Sequence, residues 1–256
     1  GCLFAPNKAH KQRLPFTYRS ALFQRGYTEV DTLIFFGKRI VCKGFDDFTN
    51  AVKILLIDDA LVARLKKIVL LGPKSDFMEE CNSFFDSLKG RVEVVEQSLS
   101  RADALALIAQ NARNALCVMP YTNDNHPYSV LEAIDTGCQI LAARAGGIPE
   151  LLPEGFHDGV LCEPTGEGIA EGIRRALSLS GQKRRELVSG LLDAVSREQE
   201  LINSQNRDSL KRLEEFLPVK PHKPRLGRAV FIAAVSVESL GFIKDLVYAL
   251  NQQTAR

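Results

Sequence analysis

The chain has 256 residues, 45% of them apolar and 25% charged, ordinary globular proportions that exclude a disordered or fibrous polymer. Thirty-three basic residues against 31 acidic ones leave a formal charge of +2, too even a balance to point to nucleic acid or an anionic membrane on charge alone. No apolar run approaches the roughly 18 residues a membrane span needs. Residues 1–16 (GCLFAPNKAHKQRLPF) carry no long apolar stretch before a small-residue cleavage site, so no signal peptide is expected. Cys2, Cys42, Cys81, Cys117, Cys138 and Cys162 are widely spaced with no C-x-x-C pair. They read as free thiols in a reducing compartment, and neither Cys nor His clusters at zinc-ligand spacing.

In chain order, Thr32–Gly37, Lys67–Gly72, Arg91–Val95, Ala115–Met119, Gln139–Ala143 and Gly159–Cys162 are short apolar runs without strict alternation. Such runs predict strands covered on both faces, as in a parallel sheet. Helical periodicity lies between them at Asp46–Leu56, Asp76–Leu88, Arg101–Gln110 and Ser129–Thr136. Ser100, with Asp103 three residues on, forms a capping-box pattern ahead of the third helix. This alternation predicts right-handed βαβ units and an α/β fold with a doubly wound parallel sheet and helices on both faces.

Two further helices are expected over Gly168–Ser178 and Gln182–Phe216. The second has Leu187, Leu191, Leu192, Val195, Leu201, Leu210 and Leu213 forming a stripe for the sheet. Pro218–Gly227, with three prolines and four basic residues, reads as a linker. Ala229–Val235 and Leu240–Gln252 read as a strand and a helix that either dock on the main domain or begin a further one. The expected divisions are an extension over 1–30, a ligand-binding α/β domain over 31–217, and the linker with its βα segment over 218–256.

Three segments could carry chemistry. Gly37-Lys38-Arg39-Ile40-Val41-Cys42-Lys43-Gly44 follows the first strand, where open α/β sheets bind ligands, and its cations beside glycines suit a phosphate or diphosphate. A solvated basic loop is the plainer alternative. No G-x-x-x-x-G-K-[ST] or G-x-G-x-x-G occurs, which disfavours a Walker-type or dinucleotide site. The stretch from Pro120 to Ala133 runs from a strand through Asp124, Asn125, His126, Pro127 and Tyr128 to a helix opening near Ser129 and Val130. The helix start is an anion site. Asp124 and Glu132 could hold one polyol by its hydroxyls, or could be an ordinary turn residue and a helical surface charge. Last, Gly146-Gly147-Ile148-Pro149-Glu150 follows the fifth strand and is either a ligand loop or a structural turn. His10, His157 and His222 sit in polar contexts and are expected to face solvent.

Taken in order, GKRIVCKG, DNHPYSVLEA, AGGIPEL and GVLCEP resemble the C-terminal domain of retaining glycosyltransferases with the GT-B fold, most nearly the large family 4 that uses nucleotide-sugar donors. The resemblance covers about residues 30–180 and implies half of a GT-B enzyme with a Rossmann-like sheet. In that family a basic pair binds the donor diphosphate. Lys43 matches the lysine, and Lys38 stands at the usual arginine position with Arg39 beside it. The family's E-x7-E motif aligns on Asp124, which would contact the transferred sugar, and Glu132, which would contact the ribose hydroxyls. Asp124 is one methylene shorter than the usual residue, and Pro127-Tyr128 replaces the usual Phe-Gly. Gly146, Gly147 and Glu150 match the loop lining the donor pocket, to which Gly37, Asn125, His126, Ser129 and Val130 also belong.

The implied machinery is Lys43, Arg39 and Asp124 acting on a nucleotide-sugar donor, with no metal and no other cofactor. Lys43, the Lys38/Arg39 pair and the helix start at Ser129 would stabilise the departing diphosphate. Residues 1–30 are too few for the other half of such an enzyme. The chain is therefore expected to bind donor but transfer poorly alone, a glycan, lipid-linked or protein acceptor being reached through a missing N-terminal domain. No nucleic acid partner and no integral membrane segment are expected, and the location implied is the cytoplasm or the inner face of a membrane. Two rival readings stay open: a catalytically degenerate GT-B scaffold, and a GT-B nucleotide-sugar epimerase. The tail from residue 228 loosely resembles the opening strand and helix of a GT-A, family 2-like glycosyltransferase.

Overall fold

The structure, a computed structural model, describes residues 26–88 and 90–216. Most of the expected N-terminal extension, the linker at Pro218–Gly227, the βα segment beyond it, His10 and His222 lie outside the described residues. The chain divides into two units, Gln12–Glu198 on one hand and Gly1–Lys11 with Gln199–Arg256 on the other. Of the second, only residues 199–216 are described, and they are helical.

Six strands form one sheet: β1 (Thr32–Phe36), β2 (Lys67–Leu71), β3 (Glu93–Gln97), β4 (Ala115–Met119), β5 (Gln139–Ala143) and β6 (Leu161–Cys162). All pairings are parallel, in the order β3-β2-β1-β4-β5-β6. The sequence therefore reverses direction across the sheet between β1 and β4, leaving a crevice at their carboxyl ends. Strands β4 and β5 are buried along their whole length, which is why they read as continuous apolar runs.

The pleat sorts side chains to two cores. Leu33, Phe35, Ile68, Leu70, Leu116 and Val118 face one side, where they meet α1 (Phe45–Leu55), α3 (Glu79–Ser87) and α7 (Gly166–Leu177). The aromatic rings of Phe35, Phe45, Phe48 and Phe85 cluster there, with centroids 5.0–5.9 Å apart. Ile34, Val69, Cys117, Met119 and Ile140 face the other side, covered by α4 (Arg101–Asn111), α5 (Tyr128–Asp135) and residues 187–195 of the long α8 (Gly181–Phe216). The doubly wound architecture expected from the alternation is the one observed.

Local differences have identifiable causes. β3 starts two residues later than the apolar run suggested, because Arg91 and Val92 donate their N–H groups to Leu88 O and close the preceding helix. The strand then continues through Glu96, whose charge is taken up by cations described below. Asp58 caps a short helix, α2 (Asp59–Arg64), its carboxylate accepting from the N–H groups of Ala60 and Leu61. The expected strand at Gly159–Cys162 shrinks to two residues because a helical turn, α6 (His157–Val160), occupies its start. Along the part of α8 that belongs to the larger unit, Leu191, Leu192 and Val195 are buried on the sheet. Ser100 and Asp103 form the capping box, with Asp103 N–H to Ser100 Oγ at 3.3 Å and Ser100 Oγ to Asp103 Oδ2 at 2.7 Å.

Candidate functional site

The loops after β1, β4 and β5 meet at the carboxyl edge, beside the switch point. The loop after β1 ends in a single 3-10 turn, Val41–Lys43, closed by Gly44 at φ +66°. A Cβ on Gly44 would lie 1.9 Å from Pro120 O, so the first loop rests directly on the backbone of the fourth. Thr122 N–H donates to Cys42 O at 3.2 Å across the same seam. Gly37 packs on Tyr121, whose ring would stand 3.1 Å from an added Cβ.

This seam presents Lys43. Its Nζ lies 2.6 Å from Asp124 Oδ2, both side chains being about a quarter exposed (25% and 24%), and 4.2 Å from the centre of the Tyr121 ring. Tyr121, which the sequence motifs did not single out, forms the floor. It is buried, its hydroxyl donates to Phe36 O and accepts from Ser129 Oγ at 3.3 Å. Burial pushes the phenol well above its ordinary range, so Tyr121 is a neutral donor and not a proton-transfer group near neutral pH.

Asp124 is fixed from two sides. Its Oδ1 accepts the His126 N–H at 3.3 Å, and its carbonyl accepts the Gly147 N–H at 3.0 Å. Gly146 sits at φ +56°, and Cβ atoms on Gly146 and Gly147 would stand 2.4 Å and 1.8 Å from the carbonyl oxygens of Asp124 and Asn125. The paired glycines therefore let the fifth loop lie against the fourth. His157, expected to face solvent, instead holds this loop. It is half-buried, and its Nε2 lies 3.1 Å from Pro149 O and 2.9 Å from Leu152 O. Glu150 is exposed in the 3-10 turn Pro149–Leu151.

Helix α5 opens at Tyr128, one residue before the expected start, with Pro127 as an N-cap that has no side-chain hydrogen bond. Val130 N–H closes back on Pro127 O at 3.0 Å, and the N–H groups of Tyr128 and Ser129 precede that first bond at the helix start. Tyr128 and His126 are exposed and meet edge to face with ring centroids 4.8 Å apart; Asn125 is also exposed and Pro127 buried. Val130, grouped with the binding residues by motif, has its side chain wholly in the core, because it lies on the sheet-facing side of the helix. Glu132 lies one turn further along, and its carboxylate is held by the guanidinium of Arg101 from the start of α4.

The first loop divides its cations. Lys38 is exposed, but Arg39 is buried at 1% exposure. Its NH1 donates to Glu96 Oε2 at 2.6 Å and to Asn82 Oδ1 at 3.2 Å, and its NH2 to Leu70 O at 3.4 Å. Lys74 reaches the same Glu96 oxygen at 2.9 Å. Burial alone would raise the Glu96 carboxyl, but the hydrogen bonds from Lys74 and Arg39 outweigh it and hold it below the usual carboxylate range. Arg39 is thus an internal tie between β1, β2 and β3. The expectation that it sits beside a diphosphate is corrected by this placement. Cys117, Cys138 and Cys162 are free and buried, and burial pushes the Cys138 and Cys162 thiols up to about 12, leaving them unreactive.

Among known proteins, residues 30–178 match the family described as glycosyl transferases group 1. Over 113 residues the chain is 33% identical to a subunit of the human phosphatidylinositol N-acetylglucosaminyltransferase, a match that covers 41% of this chain but 20% of that protein. Among solved structures, the trehalose-6-phosphate synthase OtsA superposes on 74% of this chain and 45% of its own length, with a TM-score of 0.56 at 13% identity. HepE of Anabaena, solved with UDP and glucose, covers 77% and 53%, with a TM-score of 0.53 at 18% identity. The C-terminal domain of the Francisella tularensis group 1 glycosyl transferase LpcC covers 76% and 94%, with a TM-score of 0.52 at 16% identity. The chain spans about a fifth of its curated relative and about half of the first two structures. Among the described residues no helix is long and apolar enough to cross a membrane.

Proposed function

The chain belongs to the glycosyl transferases group 1 family, and from that premise we propose that it is the donor-binding half of an enzyme that moves a sugar from a nucleoside diphosphate to an acceptor. The observation that carries this reading is the Lys43–Asp124 pair in the loops after β1 and β4, beside the first turn of α5, with Glu132 further along the same helix. It offers cations and N–H groups for a diphosphate beside two carboxylates for hydroxyls.

When the bond between the sugar's anomeric carbon and the phosphate oxygen breaks, the diphosphate keeps the electron pair and gains negative charge. The Lys43 ammonium, Lys38 and the leading N–H groups of α5 stabilise that charge as it develops, which lowers the barrier. These groups supply the stabilisation without a metal ion. As Lys43 turns toward the diphosphate, Asp124 is released to accept from the sugar hydroxyls, and Glu132 accepts from the ribose. Retention follows when the acceptor attacks from the face the diphosphate leaves, with the acceptor held by a second half outside this chain.

Two of the solved neighbours, HepE with UDP-glucose and the E. coli trehalose-6-phosphate protein with UDP-2-fluoro glucose, make uridine the first base to try. Calorimetric titration of the chain with UDP, GDP and ADP, free and sugar-linked, with and without Mg2+, tests the reading. One nucleotide is expected to bind without metal, and Lys43→Ala and Glu132→Ala each to weaken it by about tenfold or more, as for loss of a charged hydrogen bond. Absence of binding to all three would favour a scaffold role. Conversion of a nucleotide sugar into its epimer without acceptor would favour an epimerase.

A further inference from the structure

Arg101 is the first residue of α4, and no helical requirement explains it. The cap is completed by Ser100 and Asp103 without it, and a cation at the positive end of a helix dipole is unfavourable. Its guanidinium instead reaches 31 positions along the chain to Glu132 Oε1, joining the segment after β3 to the helix after β4. The two partners differ sharply in exposure, Arg101 being 72% and Glu132 18% exposed. The carboxylate is therefore largely sheltered, while the arginine that pairs with it stands in solvent. One carboxylate oxygen is engaged by Arg101, and among the described residues Oε2 makes no hydrogen bond.

We propose that Arg101 is a positioning residue for the donor's ribose: by fixing one oxygen of Glu132 it presents the other to the ribose hydroxyls of a nucleoside diphosphate. This rests on the donor-binding reading above. A free glutamate on a helix surface samples several rotamers, and fixing it before the ligand arrives removes that ordering cost from binding. Arg101 acts here through Glu132 and not on the phosphates, which the donor-binding reading assigns to Lys43 and Lys38. Its effect therefore depends on two things: the hydroxyls of the ligand and the carboxylate of Glu132.

The test is calorimetry on the full chain with UDP, GDP and ADP, then with the 2′,3′-dideoxy form of whichever binds, for wild type, Arg101→Ala, Arg101→Lys, Glu132→Gln and the Arg101→Ala/Glu132→Gln double variant. Arg101→Ala is expected to weaken the ribonucleotide about fivefold and the dideoxynucleotide by less than about twofold, and to cost nothing further in the Glu132→Gln background, as coupled residues do. Arg101→Lys, which keeps the charge without the planar fork, is expected to recover part of the loss. An equal loss for both ligand forms, an additive double variant, or no loss at all would overturn the proposal while leaving the donor-binding reading in place. Wild type binding none of the three nucleotides would overturn both.

Discussion

At the scale of single residues, the site is a set of charges satisfied by one another. Lys43 and Asp124 form a close pair at 2.6 Å with about a quarter of each side chain exposed, so any anion that recruits Lys43 must displace a carboxylate. Partly exposed pairs of this kind contribute up to about 1 kcal/mol. Asp124→Asn is therefore expected to raise affinity for the free nucleoside diphosphate about two- to fivefold relative to its sugar-linked form, since Lys43 is released while a sugar contact is weakened. Paired titrations of the two ligands read this ratio, and an unchanged ratio would mean that the pair does not compete with the ligand. Arg39 shows the limit of composition as a guide. Lys38 and Arg39 are neighbours in sequence, yet one faces solvent and the other is buried against Glu96. No spacing rule distinguishes them, because the distinction is made by a carboxylate on a strand 57 positions away.

At the scale of elements, backbone proximity and not side-chain chemistry sets the shape of the crevice. The loops after β1, β4 and β5 touch main chain to main chain, at Gly44 against Pro120 and at Gly146 and Gly147 against Asp124 and Asn125. The glycines were legible as loop residues, but their reason was not, since a positive φ and a close approach look alike in sequence. Gly147→Ala must push a Cβ into a carbonyl oxygen 1.8 Å away, and such overpacking costs about 1–3 kcal/mol. The variant is expected to unfold at lower urea and to exchange amide hydrogens faster over 122–126. Gly155→Ala, where no atom lies within 4 Å of the added carbon, should leave both measurements unchanged. Helix starts were readable wherever a side chain caps them, as at Ser100. They were less so at Tyr128, where Pro127 precedes the helix without a capping bond, and at α6, a single turn with no periodicity to detect.

At the scale of the whole molecule, the sheet is closed at its amino end by Arg184 of α8, which is fully buried. Its Nε donates to Gln139 Oε1 at 2.7 Å, NH1 to Arg113 O at 2.9 Å and to Thr28 O, and NH2 to Ala115 O at 2.8 Å. One side chain thus ties the long helix to the ends of β4 and β5. Arg184→Leu leaves those acceptors buried without a donor and is expected to cost about 3 kcal/mol. In urea this would be a lower midpoint with an unchanged slope; a loss under about 1 kcal/mol would show that water replaces the guanidinium.

Strand identity, the parallel sheet, two-sided helix cover and the order of the three loops were determined by the sequence itself. Uninterrupted apolar runs have a single use in a chain this size, and short polar connections between them leave little topological choice. Tertiary structure alone decided which of the motif residues face the crevice. It turned Val130 and Arg39 inward, set Tyr121 beneath Lys43, brought His157 under the fifth loop, and paired Arg101 with Glu132. Each of these depends on contacts between elements far apart in the chain, where the energy of burying or pairing a charge outweighs any local preference of the residue that carries it.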